Sequence, residues 1–192
     1  MITRPYSLAL FGGSFDPIHI GHVGLLEEVG SRLDLDEIHL IPCKQSPHKE
    51  NAPSATDQQR LEMCQIATQH LPSVYVSDIE LGRVEPSYSW MTIEHYQQQF
   101  PNASLYWIMG TDQWDVLEKW SRVNLLREAL TFIVIERQQK VIPKPGFNHI
   151  TIPYNHKISA TKIRRGIKEN QPMNTMLPTR IIDYINKHHL YL

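Results

Sequence analysis

The feature that most limits the fold is a short apolar run that stops at two glycines and leads into a helical pattern. Residues 7–11 are mostly apolar, Gly12 and Gly13 follow, and residues 21–33 carry Val23, Leu26, Val29 and Leu33 near helical spacing. A short apolar run with no polar alternation reads as a strand buried on both faces. Two glycines at its end permit positive φ and let the backbone come close to a ligand. Strand, tight loop and helix in that order are the opening of a parallel-sheet unit.

The pattern then repeats. Residues 37–41 read as a second strand ended by Pro42, and 43–53 as a polar loop with two prolines. Residues 57–70 read as a helix with Leu61, Met63, Cys64, Ile66 and Ala67 on its apolar stripe, and 74–77 as a strand. Residues 89–100 are helical, 104–109 form a strand ending at Gly110, 115–119 and 124–130 are helical, and 131–136 form a strongly apolar strand. Residues 150–153 are a last short strand, and 160–169 and 179–188 are helices separated by a turn-rich segment. This alternation predicts an α/β fold, a Rossmann-like parallel sheet with helices on both faces. In such sheets ligands bind beyond the carboxyl ends of strands, so the loops after Phe11, Ile41, Met109 and Ile152 are the places to look.

With 192 residues the chain is long enough for one well-packed core, and length favours a single domain over residues 1–192. A formal net charge of -1 argues against a protein that grips long nucleic acid, but it allows a local cluster of positive groups for a small anion. Cys43 and Cys64 have neither paired nor CxxC spacing, so free buried thiols in a reducing compartment are expected. No apolar run reaches the roughly 18 residues of a spanning helix, and the apolar N-terminal stretch is too short for a secretory signal. The expectation is a cytoplasmic protein with no membrane association. Composition sets no oligomeric state.

The loop from Gly12 to His22 concentrates the chemistry. It enters a helix whose free N–H groups and dipole favour an anion. His19 and His22, three apart at that helix start, can face one point and donate to phosphate oxygens as charge grows during transfer. Asp16 is near enough to orient a histidine or a water. Taken alone, the glycines fit a plain turn equally well. Asp16, His19 and His22 fit a metal site less well, since no third strong ligand follows. Neither GxGxxG nor GxxxxGK[ST] is present, so a phosphate would be held in another way. Further on, Ile158-Ser159-Ala160-Thr161-Lys162-Ile163-Arg164 opens a helix. Ser159 fits its N-cap, and Arg164 is a permanently charged donor able to reach back towards phosphates. A capped helix with solvated basic residues is the plainer alternative.

Together, Gly13-x-Phe15-x-Pro17-x-His19-x-Gly21-His22 and the segment 158–164 resemble the paired HxGH and ISxTxIR motifs of the HxGH nucleotidyltransferase superfamily. The Ile41-Pro42 and Pro47-His48-Lys49 segments, Pro86-Ser87-Tyr88-Ser89 with Thr92, Gly110-x-Asp112, Trp120 and the ending around Leu177-Pro178 are similar to its bacterial nicotinate-nucleotide branch. Ser46 and Ser89 depart from that branch's usual proline and threonine, and Cys43 and Lys44 stand where small or amide-bearing residues are usual.

The resemblance implies adenylyl transfer from ATP to nicotinate mononucleotide, giving deamido-NAD and pyrophosphate without a covalent intermediate. It implies catalytic roles for His19, His22 and Arg164, and ATP contacts from Gly12, Gly13, Ser14, Phe15, Gly21, Gly110, Asp112, Ile158 and Ser159. It places Lys49, Tyr88, Ser89 and Trp120 on the pyridine-nucleotide side. Mg²⁺ is expected to arrive mainly through the ATP phosphates, with no metal cage from the protein. Nicotinamide mononucleotide or phosphopantetheine as acceptor, a cytidylyl reaction, and a nucleotide sensor without turnover are the alternatives. Read as residues alone, Tyr88 and Trp120 fit core aromatics equally well, and Asp112 a turn or cap.

Overall fold

A computed structural model describes residues 4–45, 52–84, 86–137 and 139–192. Six strands alternate with the helices: β1 (Ser7–Gly13), α1 (Ile20–Arg32), β2 (Glu37–Pro42), α2 (Asp57–Thr68), β3 (Val74–Val76), α3 (Ser89–Gln99) and β4 (Ser104–Gly110). The order continues with α4 (Thr111–Val116), α5 (Val123–Ala129), β5 (Leu130–Glu136), β6 (Asn148–Pro153), α6 (Ala160–Lys168) and α7 (Thr179–Lys187). The strands pair in the order β3-β2-β1-β4-β5-β6, and every pairing is parallel. The strand order reverses between β1 and β4, the switch point where sheets of this kind open a crevice for a ligand.

Side-chain alternation along the strands divides the interior into two cores. Leu8 and Leu10 of β1 join Leu105, Trp107 and Met109 of β4 and Phe132 and Val134 of β5 under α3, α4 and α5, through Ile93, Tyr96, Trp114 and Leu126. Ala9 joins Ile38, Leu40, Ile108, Ile133 and Ile135 on the opposite face under α1, α2, α6 and α7, through Leu26, Val29, Met63, Ile163 and Ile181. Leu8, Ala9 and Leu10 have no exposed surface, which is why this strand reads as an unbroken apolar run.

Two sequence expectations need correction. The helix expected at 115–119 begins at Thr111, directly after β4, and a 3-10 turn at Leu117–Lys119 follows it. Its anchor is Trp114, fully buried, packed edge-on to Phe132 with 5.7 Å between centroids, its indole N–H donating to the Ile142 carbonyl at 2.8 Å. The α2 stripe also differs: Met63, Cys64 and Ala67 are buried, but Leu61 and Ile66 are only half-buried, and Arg60 has no exposed surface. The start of α2 is closed by a reciprocal cap, in which Gln59 N–H donates to Thr56 Oγ1 at 3.2 Å and Thr56 N–H to Gln59 Oε1 at 2.9 Å.

The chain's last described turn docks on the first loop. Leu190 and Tyr191 are buried, and the Tyr191 hydroxyl donates to Asp16 Oδ1 at 2.8 Å. Burial and the facing carboxylate both push the Tyr191 phenol pKa up, so it stays a donor. Tyr191→Phe strands one lone pair of a buried carboxylate and is expected to cost about 1–3 kcal/mol in urea unfolding. Tyr75→Phe, at a tyrosine 49% exposed, should leave the midpoint unchanged.

Candidate active site

Asp16 organises the crevice. Its Oδ2 accepts from Ser54 N–H at 2.8 Å and its Oδ1 from Ala55 N–H at 3.0 Å, in addition to the Tyr191 hydroxyl. Its carbonyl accepts from Arg164 Nη1 at 2.6 Å, and the same nitrogen lies 3.6 Å from Oδ2. The partners seen on the Asp16 carboxylate are backbone N–H groups, a phenol and a guanidinium, so its evident task is to hold the loop. A second cation, this one fully buried, braces the same loop. Arg60 Nη1 donates to the Ser14 carbonyl at 2.7 Å, and Nη2 to Asp57 Oδ1 at 2.6 Å and to the Lys44 carbonyl at 3.5 Å.

The loop so held presents its two histidines together. His19 is the N-cap residue of α1 in extended conformation, and the His19 and His22 rings stack with centroids 3.7 Å apart and planes within 14°. The His19 backbone N–H donates to His22 Nδ1 at 3.3 Å, so the proton of a neutral His22 is assigned to Nε2. Gly21 makes the stacking possible: a β-carbon there would fall 3.1 Å from His19 Nδ1 and 3.2 Å from Cε1. Phe15, at φ 45°, packs edge-on to His22 with 5.1 Å between centroids. His19 is only 6% exposed; burial first, then the positive field of Arg137 and His156, lowers its pKa to about 4. His19 is thus a neutral imidazole at physiological pH.

Opposite the loop, Ser159 caps α6 by accepting from Lys162 N–H at 3.3 Å, as its position suggested. Arg164 lies on that helix, and its remaining N–H donors have no partner among the described residues. At the end of β4, Asp112 sits in the first turn of α4 with its carboxylate folded over Gly110, where a β-carbon would lie 2.5 Å from Oδ1. Gly12 is backed by the Trp107 ring, and the Trp120 ring meets Trp107 edge-on with 6.3 Å between centroids. Tyr88 and Ser89 are the N-cap and first residue of α3. Ile158 is half-buried just before α6. Lys49 lies outside the described residues.

The sequence reading missed two positive groups. Arg60 was hidden by its place in a helix, where a lone arginine looks solvated. Arg137, immediately after β5, is exposed and has no hydrogen bond or ion pair among the described residues, yet its charge is felt at His19. Its guanidinium carbon is 4.0 Å from the space over Gly110. The site therefore offers two imidazoles, two guanidinium groups and helix N-termini at one sheet edge, a donor set suited to phosphate oxygens. Among the described residues no cluster of three or more His, Cys, Asp or Glu is placed to hold a metal ion, and no helix is long and apolar enough to cross a membrane.

Comparisons with known proteins give the family and the fold. Residues 10–166 match the cytidylyltransferase-like family model. The nicotinate-nucleotide adenylyltransferase of Bacillus subtilis is 33% identical over 96% of this chain and 97% of its own. The chain belongs to the nicotinate-nucleotide adenylyltransferase branch of that family. A relative from Methylacidiphilum infernorum, named a probable nicotinate-nucleotide adenylyltransferase, is 34% identical over 99% of this chain and 94% of its own. The fold is that of the Plasmodium falciparum nicotinic acid mononucleotide adenylyltransferase solved with NaAD, with a TM-score of 0.79 at 22% identity over 96% of this chain and 97% of that one. Family membership thus spans both motif-bearing ends, and the six-stranded parallel sheet with helices on both faces is the family architecture.

The low pKa of His19 gives a stability test. The folded protein binds fewer protons than the unfolded chain between about pH 4 and 6.5. The contribution is complete above about pH 6.5 and is lost as pH falls through about 4. Ring-nitrogen NMR should show His19 neutral at pH 5.5, and His19→Asn should flatten the acid loss of unfolding free energy in that window. A His19 ring titrating near 6.5 in the folded protein contradicts the assignment.

Proposed function

We propose that the chain transfers the adenylyl group of ATP to nicotinate mononucleotide, releasing pyrophosphate and forming deamido-NAD. The observation that carries this reading is the contact between Arg164 and Asp16, which brings the two motif segments, 148 residues apart, to one point beside His19 and His22. The named activity of the relatives and the acceptor-side segments support nicotinate mononucleotide as the acceptor.

A phosphate oxygen of the mononucleotide attacks the α-phosphorus of ATP. The new P–O bond forms as the bond to the β-phosphate bridging oxygen breaks, and the electron pair leaves with pyrophosphate. The attacking oxygen is already anionic, so no general base is needed. Catalysis rests on positioning and on meeting the charge of the phosphates. His19, His22 Nε2–H, the α1 N-terminus and Arg164 supply donors to those oxygens, and the neutral His19 ring also holds the ring of His22 in place by stacking. Gly110 and the Asp112 carboxylate suit the vicinal hydroxyls of a ribose. Gly12 and Gly13, which carry no side chain, let the backbone come close to the nucleotide, with Ser14 beside them.

Mg²⁺ accompanies ATP, and the imidazole and guanidinium donors of this site fit the phosphate oxygens that would hold the ion rather than the ion itself; when bound it neutralises their charge. ATP consumption supports a cytoplasmic setting.

His22→Ala is expected to lower kcat by ~10²-fold or more, roughly 2.7 kcal/mol or more of transition-state stabilisation, with the fold retained. Near-normal turnover in the folded variant would defeat the assignment. Arg164→Ala should act mainly on ATP, raising its KM more than that of the acceptor. Pyrophosphate release from ATP with nicotinate mononucleotide, nicotinamide mononucleotide and phosphopantetheine separates the acceptors. Release with phosphopantetheine alone overturns the pyridine reading, and release with none makes the chain a nucleotide-binding sensor.

A further inference from the structure

Between β3 and α3 lies a buried carboxylate that the mechanism does not use. Glu80 is 3% exposed. Its Oε1 accepts from the hydroxyl of Thr92, itself fully buried, at 2.6 Å, and the Ser87 hydroxyl beside it is a second hydrogen-bonding partner that favours the ionised form. Each hydroxyl passes the connection on. Thr92 Oγ1 accepts from Arg83 Nη1 at 3.0 Å, and Ser87 Oγ accepts from Lys44 N–H at 3.2 Å. Two more bonds tie these segments together: Ser87 N–H donates to the Gln45 carbonyl at 3.1 Å, and Lys44 Nζ to the Arg83 carbonyl at 3.3 Å. The wall they make continues into the catalytic loop, since Cys43 N–H donates to the Gly13 carbonyl at 2.8 Å.

We propose that Glu80 is a positioning residue for acceptor recognition: by accepting the hydroxyl protons of both Ser87 and Thr92, it holds the start of α3 against residues 44–45. The proposal rests on reading residues 43–45 and 86–89 as the acceptor side of the site. The argument is one of bond direction. Ser87 and Thr92 accept from Lys44 N–H and Arg83 with their lone pairs, which leaves each hydroxyl proton for Glu80. An ionised carboxylate is acceptor-only and has two oxygens, so it takes both donors. A glutamine of the same shape has one oxygen and one NH₂ group, and the NH₂ group would face a hydroxyl that needs an acceptor. One of the bonds must then break or reverse, loosening the wall. Burial leaves the Glu80 pKa raised above its ordinary value, with the hydrogen bond from Thr92, the charge of Arg83 and the Ser87 hydroxyl offsetting part of that rise.

The test is steady-state kinetics with ATP and acceptor varied separately. Glu80→Gln should raise the acceptor KM about fivefold or more, the scale of one lost hydrogen bond, and leave the ATP KM within about twofold. If Glu80→Gln does not fold, two variants that keep Glu80 carry the test. Thr92→Val should show the same selective rise, and Thr92→Ser, which restores the hydroxyl, should return to wild type. Equal rises for both substrates, or no difference between Thr92→Val and Thr92→Ser, overturn the proposal. Wild-type turnover with nicotinate mononucleotide tests the reading of the site separately. The variants are measured with whichever acceptor the wild type adenylates or, if it adenylates none, by the dissociation constants of nicotinate mononucleotide and ATP.

Discussion

The loop after β1 is rich in polar backbone and lies at the mouth of a sheet whose interior is almost wholly apolar, so something must hold it without strand or helix pairing. The Asp16 carboxylate does this by accepting from Ser54 N–H, Ala55 N–H and the Tyr191 hydroxyl, while the Asp16 carbonyl takes Arg164. Arg60 does the same from below through the Ser14 carbonyl. A buried charge of either sign is costly when unpaired. Here each is paired, and the pairing fixes where α1 begins and where the His19 and His22 rings point. The stacking of the two imidazoles, the tautomer of His22 and the low pKa of His19 all follow from that placement.

The electrostatic design is local. In a chain with a net charge of -1, His19, His22, Arg137 and Arg164 converge where the strand order reverses. Three helices begin at that same sheet edge, with His19, Gly110 and Ser159 at their N-caps. Their N–H groups add positive potential without adding charged side chains. The arrangement serves a ligand that carries its negative charge in one compact chain of phosphates.

Much of this was legible in the sequence, for reasons that can be named. The buried strands showed as apolar runs because both of their faces are covered, and the first helix showed because Val23, Leu26, Val29 and Leu33 recur near helical spacing. The loop glycines and histidines stood out because few chains place them together. What stayed hidden was whatever depends on contacts distant in sequence. The start of α4 is polar except for Trp114, whose partners Phe132 and Ile142 lie on later segments. Arg60 and Glu80 look like solvated charges until the loops they brace fold over them. Asp16 looked like a partner for a neighbouring histidine, and only the fold reveals that residues 54, 55, 164 and 191 reach it first.

That last fact sets an order of assembly. The loop bearing His19 and His22 leaves the ribosome early, but Arg164 follows it 148 residues after Asp16 and Tyr191 follows 175 residues after. Until those residues emerge, the Asp16 carboxylate lacks its phenol, its carbonyl lacks its guanidinium, and the histidines have no fixed bearing. A nascent chain can therefore build most of its sheet while its phosphate-handling loop is still unset. Competence arrives in one late step, when Arg164 and Tyr191 close on Asp16.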